Sequence, residues 1–133
     1  MIAVDCSAIV AIILQEPERE SFIAAIRDSS KAVLSTVSAL EAKMVLHGRR
    51  GQRAAILVDD LLRLPMFDIV PPTTTDLNAA YAAFVTFGKG SGHPANLNFG
   101  DVFSYALAKT RNLPLLFKGN DFALTDLQPA IMS

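Results

Sequence analysis

A three-layer α/β/α domain with a mainly parallel central sheet is the fold class the sequence predicts. Two observations predict it. Short apolar runs of strand length alternate with longer segments of helical periodicity along the whole chain. No repeat, linker or low-complexity tract breaks that alternation. Strands separated by helices imply parallel pairing, with helices on both faces of the sheet. The 133 residues fit one compact domain, residues 1–133, and leave no room for two.

The elements follow in order. Ile2 to Val4 is a short apolar run ending at Asp5, a first strand. Ala8 to Leu14 reads as a buried helix. Pro17 suits the first turn of a second helix, with Glu18 and Glu20 near its positive end and Phe22, Ile23 and Ile26 as its apolar stripe. Ala32 to Leu34 is the second strand. A third helix runs from Ser35 or Thr36 to Leu46, with Val37, Leu40 and Met44 at helical spacing and Gly48 and Gly51 marking its end. A fourth carries Ile56, Leu57, Leu61 and Leu64 and stops at Pro65. Phe67 to Val70 is the third strand, closed by two prolines. Asp76 to Phe87 makes a fifth helix, offering Leu77, Tyr81, Phe84 and Val85 to the core. Glycines and a proline make residues 88–94 a loop. A sixth helix spans Asn98 or Phe99 to Arg111, Leu115 to Phe117 is a fourth strand, and Gly119-Asn120-Asp121 is a turn. The last residues add a short helix and a terminal edge strand.

Composition narrows the function. Half of the residues (51%) are hydrophobic and 19% charged, enough apolar material for a real core. Net charge is −1, so binding to nucleic acid would need a local basic patch or metal ions. The single cysteine, Cys6, excludes an internal disulfide and a cysteine-based zinc site, and it suggests a reducing, cytoplasmic home. The apolar run at Ala8 is preceded by Asp5 and by no Lys or Arg, so no secretory leader is expected. It is also far shorter than the roughly 20 residues that span a bilayer, so no membrane contact is expected.

Four acids stand out once the elements are placed. Asp5 follows the first strand, and Asp121 follows the fourth. Glu41 lies early in the helix after the second strand, and Asp101 lies in the first turn of the sixth helix. In a parallel sheet with right-handed crossovers, strand C-termini and the N-termini of the following helices share one edge. Ligands bind in the crevice there. Each acid alone also reads as a cap or turn former: Asp5 as an N-cap, Glu41 as the end of a Ser38-x-x-Glu41 capping box, Asp101 as a partner of Asn98, and Asp121 in an Asx turn. Together they describe a cluster that repels itself unless a cation intervenes. Two like charges 4 Å apart cost about 1 kcal/mol in water and about 4 at an effective dielectric of 20. Carboxylates and water suit Mg²⁺ or Mn²⁺.

The stretches around these acids resemble the PIN domain, and within it the VapC-type toxins of bacterial toxin–antitoxin pairs. The matching pieces are residues 1–8 (MIAVDCSA), 38–41 (SALE), 98–108 (NFGDVFSYALA) and 115–122 (LLFKGNDF). The resemblance implies a metal-dependent endoribonuclease using Mg²⁺ or Mn²⁺, held inactive by a VapB-type antitoxin that covers its acidic crevice, with a homodimer as the usual assembly. It places Asp5, Glu41, Asp101 and Asp121 in the family's acidic quartet as catalytic and metal residues, with Asp5 and Asp101 as direct ligands. Ser7 would support a ligating carboxylate. Asn120 stands beside the last acid, where it could orient a water or equally serve only the turn. One departure is that Cys6 stands where Thr is common, so a hydroxyl is lost.

Arg49, Arg50 and Arg53 cluster between the third and fourth helices, and Lys118 follows the fourth strand. These are candidate contacts for RNA or antitoxin, and equally a solvated turn. His93 in the glycine loop and Lys89 are weaker candidates for phosphate contact. Two rivals remain. One is a phosphatase acting through an aspartyl phosphate on Asp5, against which Ser7 stands where a second Asp would be required. The other is a non-catalytic module kept to bind a partner.

Overall fold

The computed structural model describes residues 1–131. Four strands, β1 (Ile2–Val4), β2 (Ala32–Ser35), β3 (Phe67–Val70) and β4 (Leu115–Leu116), form one sheet in the order β3-β2-β1-β4, every pair parallel. Register is fixed by Ile2 opposite Ala32, Ala3 opposite Leu115 and Ala32 opposite Phe67. The sheet is sandwiched by helices. Ile2, Val4, Ala32, Leu34, Phe67 and Leu116 point into one core with α1 (Cys6–Ile13), α2 (Arg19–Asp28), α3 (Thr36–Arg50) and α4 (Gln52–Leu62). Ala3, Val33 and Leu115 point into a second core with α5 (Thr74–Phe87) and α6 (Phe99–Arg111). Strand residues alternate faces, so each apolar run serves both layers. The three-layer α/β/α class is the observed one.

Local chemistry explains the helix boundaries. Asp5 caps α1 by accepting the Ser7 N–H, and Ser35 caps α3 by accepting the Val37 N–H. Reciprocal capping boxes start α5 (Thr73 with Asp76) and α6 (Asn98 with Asp101). Gly51, at φ 82°, breaks α3 from α4 in a conformation that suits glycine. Asp76 also accepts from Thr110 Oγ1 at 2.7 Å and Arg111 at 3.2 Å, locking the start of α5 to the end of α6.

Several expectations are corrected. The third helix does not end at Leu46 but runs through Gly48 to Arg50. Pro17 precedes the second helix rather than sitting in its first turn, which begins at Arg19. The largest change concerns helix faces. Leu40, Met44, Ile56, Leu57, Leu64, Leu77, Tyr81, Phe84 and Val85 are exposed, and smaller residues face the core. Ala42 and Leu46 do so on α3, Ala54, Ala55 and Val58 on α4, and Ala80 and Ala83 on α5. Alanines let these helices pack close, which leaves the bulky side chains outside. The fourth strand is two residues long and excludes Phe117. The final helix is a single 3₁₀ turn, η1 (Phe122–Leu124). The terminal edge strand is reduced to one parallel bridge between Pro129 and Leu115, and residues 132–133 lie outside the described residues.

Candidate active site

The C-terminal ends of β1 and β2 bring the key groups together. A crevice of about 310 Å³ is lined by Asp5, Ser7, Glu16, Glu41, Arg49, Asp101 and Lys118, with Cys6, Val10 and Val45 in its walls. Asp5 lies between strand β1 and helix α1. Glu41, Val45 and Arg49 come from one face of α3 at helical spacing. Asp101 comes from the first turn of α6. Asp121 does not line this crevice, yet its charge is felt by Asp101. Asn120 lines a different pocket, beside Glu18 and Phe22.

Asp5 is the fixed point. It is 4% exposed, and both its oxygens are held. Oδ2 accepts from the Ser7 N–H (3.0 Å) and the Ser7 hydroxyl (2.6 Å), and Ser7 Oγ in turn accepts the Lys118 backbone N–H at 3.0 Å. Oδ1 accepts from the Ser104 hydroxyl at 2.5 Å. Ser104 lies 3.1 Å from the Ser38 hydroxyl. Because the Ser104 proton is committed to Asp5, Ser38 donates to Ser104. Two hydroxyl relays, one from the Lys118 amide just after β4 and one from α3 through α6, thus clamp a single carboxylate.

The other acids carry the strain of crowding. Burial pushes Asp101 up to about 6, against the Asn98 N–H that favours its charge, and the Asp5, Glu41 and Asp121 charges add to the rise. Burial first, and then Asp5, raises Glu41, while the Cys6 thiol hydrogen-bonds to it and opposes the rise. Burial, with Asp5 and Glu41 beside it, pushes the Cys6 thiol far above its ordinary range, so Cys6 serves as a neutral donor. Asp101 also closes its capping box: its Oδ2 accepts the Asn98 N–H at 2.9 Å. The capping reading and the crevice reading hold at once for Asp5 and for Asp101. For Glu41 the capping reading fails, because the cap of α3 is Ser35 and Ser38 lies inside the helix.

The basic residues divide. Arg49 lines the acidic crevice, whereas Arg50 and Arg53 line a separate pocket with Ile13, Leu14 and Leu57. Lys118 sits at the rim, and its ammonium is paired with Glu16 at 3.1 Å and Glu18 at 3.2 Å. Ser104, Ser38 and Glu16 are the residues the sequence reading missed. Ser104 had a signal: a small hydroxyl one turn after Asp101, in the largely apolar first half of the helix. Glu16 had none.

Among the described residues, no three His, Cys, Asp or Glu side chains stand together as a closed metal-ligand set. The donor chemistry of the crevice nonetheless fits a hard divalent cation. Asp5, Glu16, Glu41 and Asp101 line it together, and burial, with the neighbouring charges adding to it, disfavours the charged form of Asp101. Asp5, Asp101 and Glu41 are the groups that would hold such an ion.

Known proteins resemble this chain in sequence and in fold. The PIN domain model matches residues 2–127. The chain is 43% identical over 128 residues to Ribonuclease VapC28 of Mycobacterium tuberculosis, covering 96% of each. The fold matches that of Mycobacterium tuberculosis VapC20, a sarcin–ricin-loop-cleaving toxin, with a TM-score of 0.79 at 16% identity over 96% of each chain. It also matches VapBC2 of Rickettsia felis, whose structure was solved bound to a promoter DNA fragment, with a TM-score of 0.73 at 12% identity over 97% of this chain and 96% of that one.

Proposed function

The chain belongs to the PIN-domain family, and from that premise we propose that it is a divalent-metal-dependent endoribonuclease, the toxic half of a toxin–antitoxin pair. The observation that carries the reading is one crevice into which Asp5, Glu41 and Asp101 arrive from three distant stretches. The similarity to VapC ribonucleases over nearly the whole chain supports RNA as substrate.

Asp5, Asp101 and Glu41 would hold Mg²⁺ or Mn²⁺, with Asp121 adding negative charge from outside the crevice. The ion, when bound, supplies Lewis acidity toward the scissile phosphate and the attacking water. The protein's own part is positional. Ser7 and Ser104 keep Asp5 in one orientation, so the cation finds a fixed ligand rather than a mobile one. Arg49 provides the crevice with a cation that attracts a phosphate. Lys118 can add a second once phosphate competes with Glu16 and Glu18. Water adds to phosphorus and the bond to the 3′ oxygen breaks, giving 5′-phosphate and 3′-hydroxyl ends.

A VapB-type antitoxin is the partner this reading requires, and Arg50 and Arg53 beside Leu57 are candidate contacts for it. A homodimer within the complex is part of the reading, with the exposed apolar face of α5 as a candidate contact. No helix among the described residues is long and apolar enough to cross a membrane. The proposed location is the cytoplasm, where RNA substrates are found.

The test is cleavage of cellular RNA by the purified chain with Mn²⁺, with EDTA, and after Asp5→Asn. Metal-dependent cuts with 5′-phosphate ends, lost in EDTA and in the variant, are expected. Cutting that survives both would overturn the reading and favour another chemistry. Tight partner binding with no cutting under any condition would favour a non-catalytic module.

A further inference from the structure

We infer that Gly100 is the positioning residue for Glu41: its missing side chain leaves the slot in the first turn of α6 where the Glu41 carboxylate rests. The inference deepens the proposed function and rests on it for the part played by the metal.

The steric observation is direct. A Cβ placed on Gly100 would collide with the Glu41 carboxylate, with Oε2 first and then with Cδ and Oε1, both at 2.6 Å. That is closer than real Cβ contacts come. The glycine is not there for backbone freedom. Gly100 is helical, and it is absent from the positive-φ positions of the chain. Glycine is one of the poorest residues for a helix and alanine the best, so α6 would be more stable with alanine. Gly100 is buried and stands immediately before Asp101, in the turn that the Asn98–Asp101 box fixes. The turn cannot readily yield, and the far end of Glu41 can. A methyl group here therefore turns the Glu41 carboxylate out of the slot and away from Asp5 and Asp101. The same close approach brings the Glu41 charge to the positive end of α6, which favours it. The spacing between carboxylates on two different helices is thus set by a side chain that is absent.

The experiment uses the full chain with Gly100→Ala, Glu41→Asp and the double variant, read by Mn²⁺ titration calorimetry and by thermal denaturation in EDTA. Gly100→Ala is expected to weaken Mn²⁺ binding at least tenfold, while Tm in EDTA stays level or rises. In the Glu41→Asp background the same change is expected to weaken binding less than threefold, because the shorter side chain clears the new methyl. In RNA cleavage, kcat should fall with KM little changed. Parent-like Mn²⁺ affinity in Gly100→Ala would overturn the inference. So would an equal loss in both backgrounds, or a loss that tracks a fallen Tm. A parent that binds no Mn²⁺ would refute the proposed function instead. The crystal structure of metal-free Gly100→Ala then decides the positioning claim: a displaced Glu41 carboxylate supports it, and an unmoved one overturns it.

Discussion

Replacing Asp101 by Asn should make the metal-free protein more stable and the metal-loaded protein less stable than the parent. The magnitude follows from the crevice. Asp101 is pushed from its ordinary 3.8 up to about 6, chiefly by burial, a penalty of about 3 kcal/mol for its charged form before screening. Partial exposure screens this, and about 1–2 kcal/mol is the defensible figure. Asn keeps an oxygen for the Asn98 N–H, so the capping box survives, while the lost charge at the helix start gives back about 0.3–1 kcal/mol. The net gain is about 1 kcal/mol at pH 7.5, or a Tm increase of about 3–5 °C for a chain of this size. The sign reverses with pH. A carboxyl whose folded pKa is raised binds more protons folded than unfolded between about 4 and 6, so the parent gains stability as pH falls through that window. The advantage of the variant should shrink below pH 6 and be nearly gone at pH 4. Saturating Mn²⁺, at about 100 times its Kd, should add about 2.7 kcal/mol to the parent and far less to the variant. Calorimetric melts in EDTA at pH 7.5 and pH 4, and in Mn²⁺ at pH 7.5, measure all three effects. A variant less stable than the parent in EDTA at pH 7.5, or a gain that persists at pH 4, would refute the claim that burial and the neighbouring carboxylates disfavour a charged Asp101.

Three further outcomes are expected. Ser104→Ala removes the proton donor to Asp5 Oδ1 and should cost about 1.5–3 kcal/mol in urea unfolding, with Mn²⁺ affinity down about 10–100-fold. Arg49→Ala should raise KM for RNA several-fold and reduce its salt slope by about 1, whereas Arg50→Ala leaves both near the parent; equal effects at the two positions would remove the distinction between their pockets. Tyr81→Glu charges the middle of the exposed α5 stripe, and light scattering should then find the proposed homodimer shifted to monomer; a mass equal to the parent's would rule out α5 as its contact.

Strands and their order of use were legible because buried strands are apolar on both faces, as Ile2–Val4 and Ala32–Ser35 show. The convergence of Asp5, Glu41 and Asp101 followed from topology alone, since parallel strands put their ends on one edge. Which helix face turns inward was not legible. Large apolar residues at helical spacing, such as Leu77, Tyr81 and Phe84, suggested a core stripe, but Ala80 and Ala83 took the inward positions. Periodicity reveals that a helix has two faces; on α5 both were apolar enough to qualify. The support for Asp5 from Ser104 joins residues 99 positions apart and leaves only a faint trace in the sequence, a hydroxyl among apolar neighbours.

The central place of β1 has a consequence for timing. Strand β1 takes its neighbours from residue 32 onward on one side and from residue 115 onward on the other, so both are synthesised after it. Asp5 waits for Ser104, and Ser7 waits for the Lys118 amide 111 residues later. At a synthesis rate of about 5–20 residues per second, these partners arrive seconds after Asp5 itself. A nascent chain therefore carries Asp5 through the synthesis of α2 to α5 without the groups that aim it, and the acidic crevice is finished only once α6 and β4 have emerged.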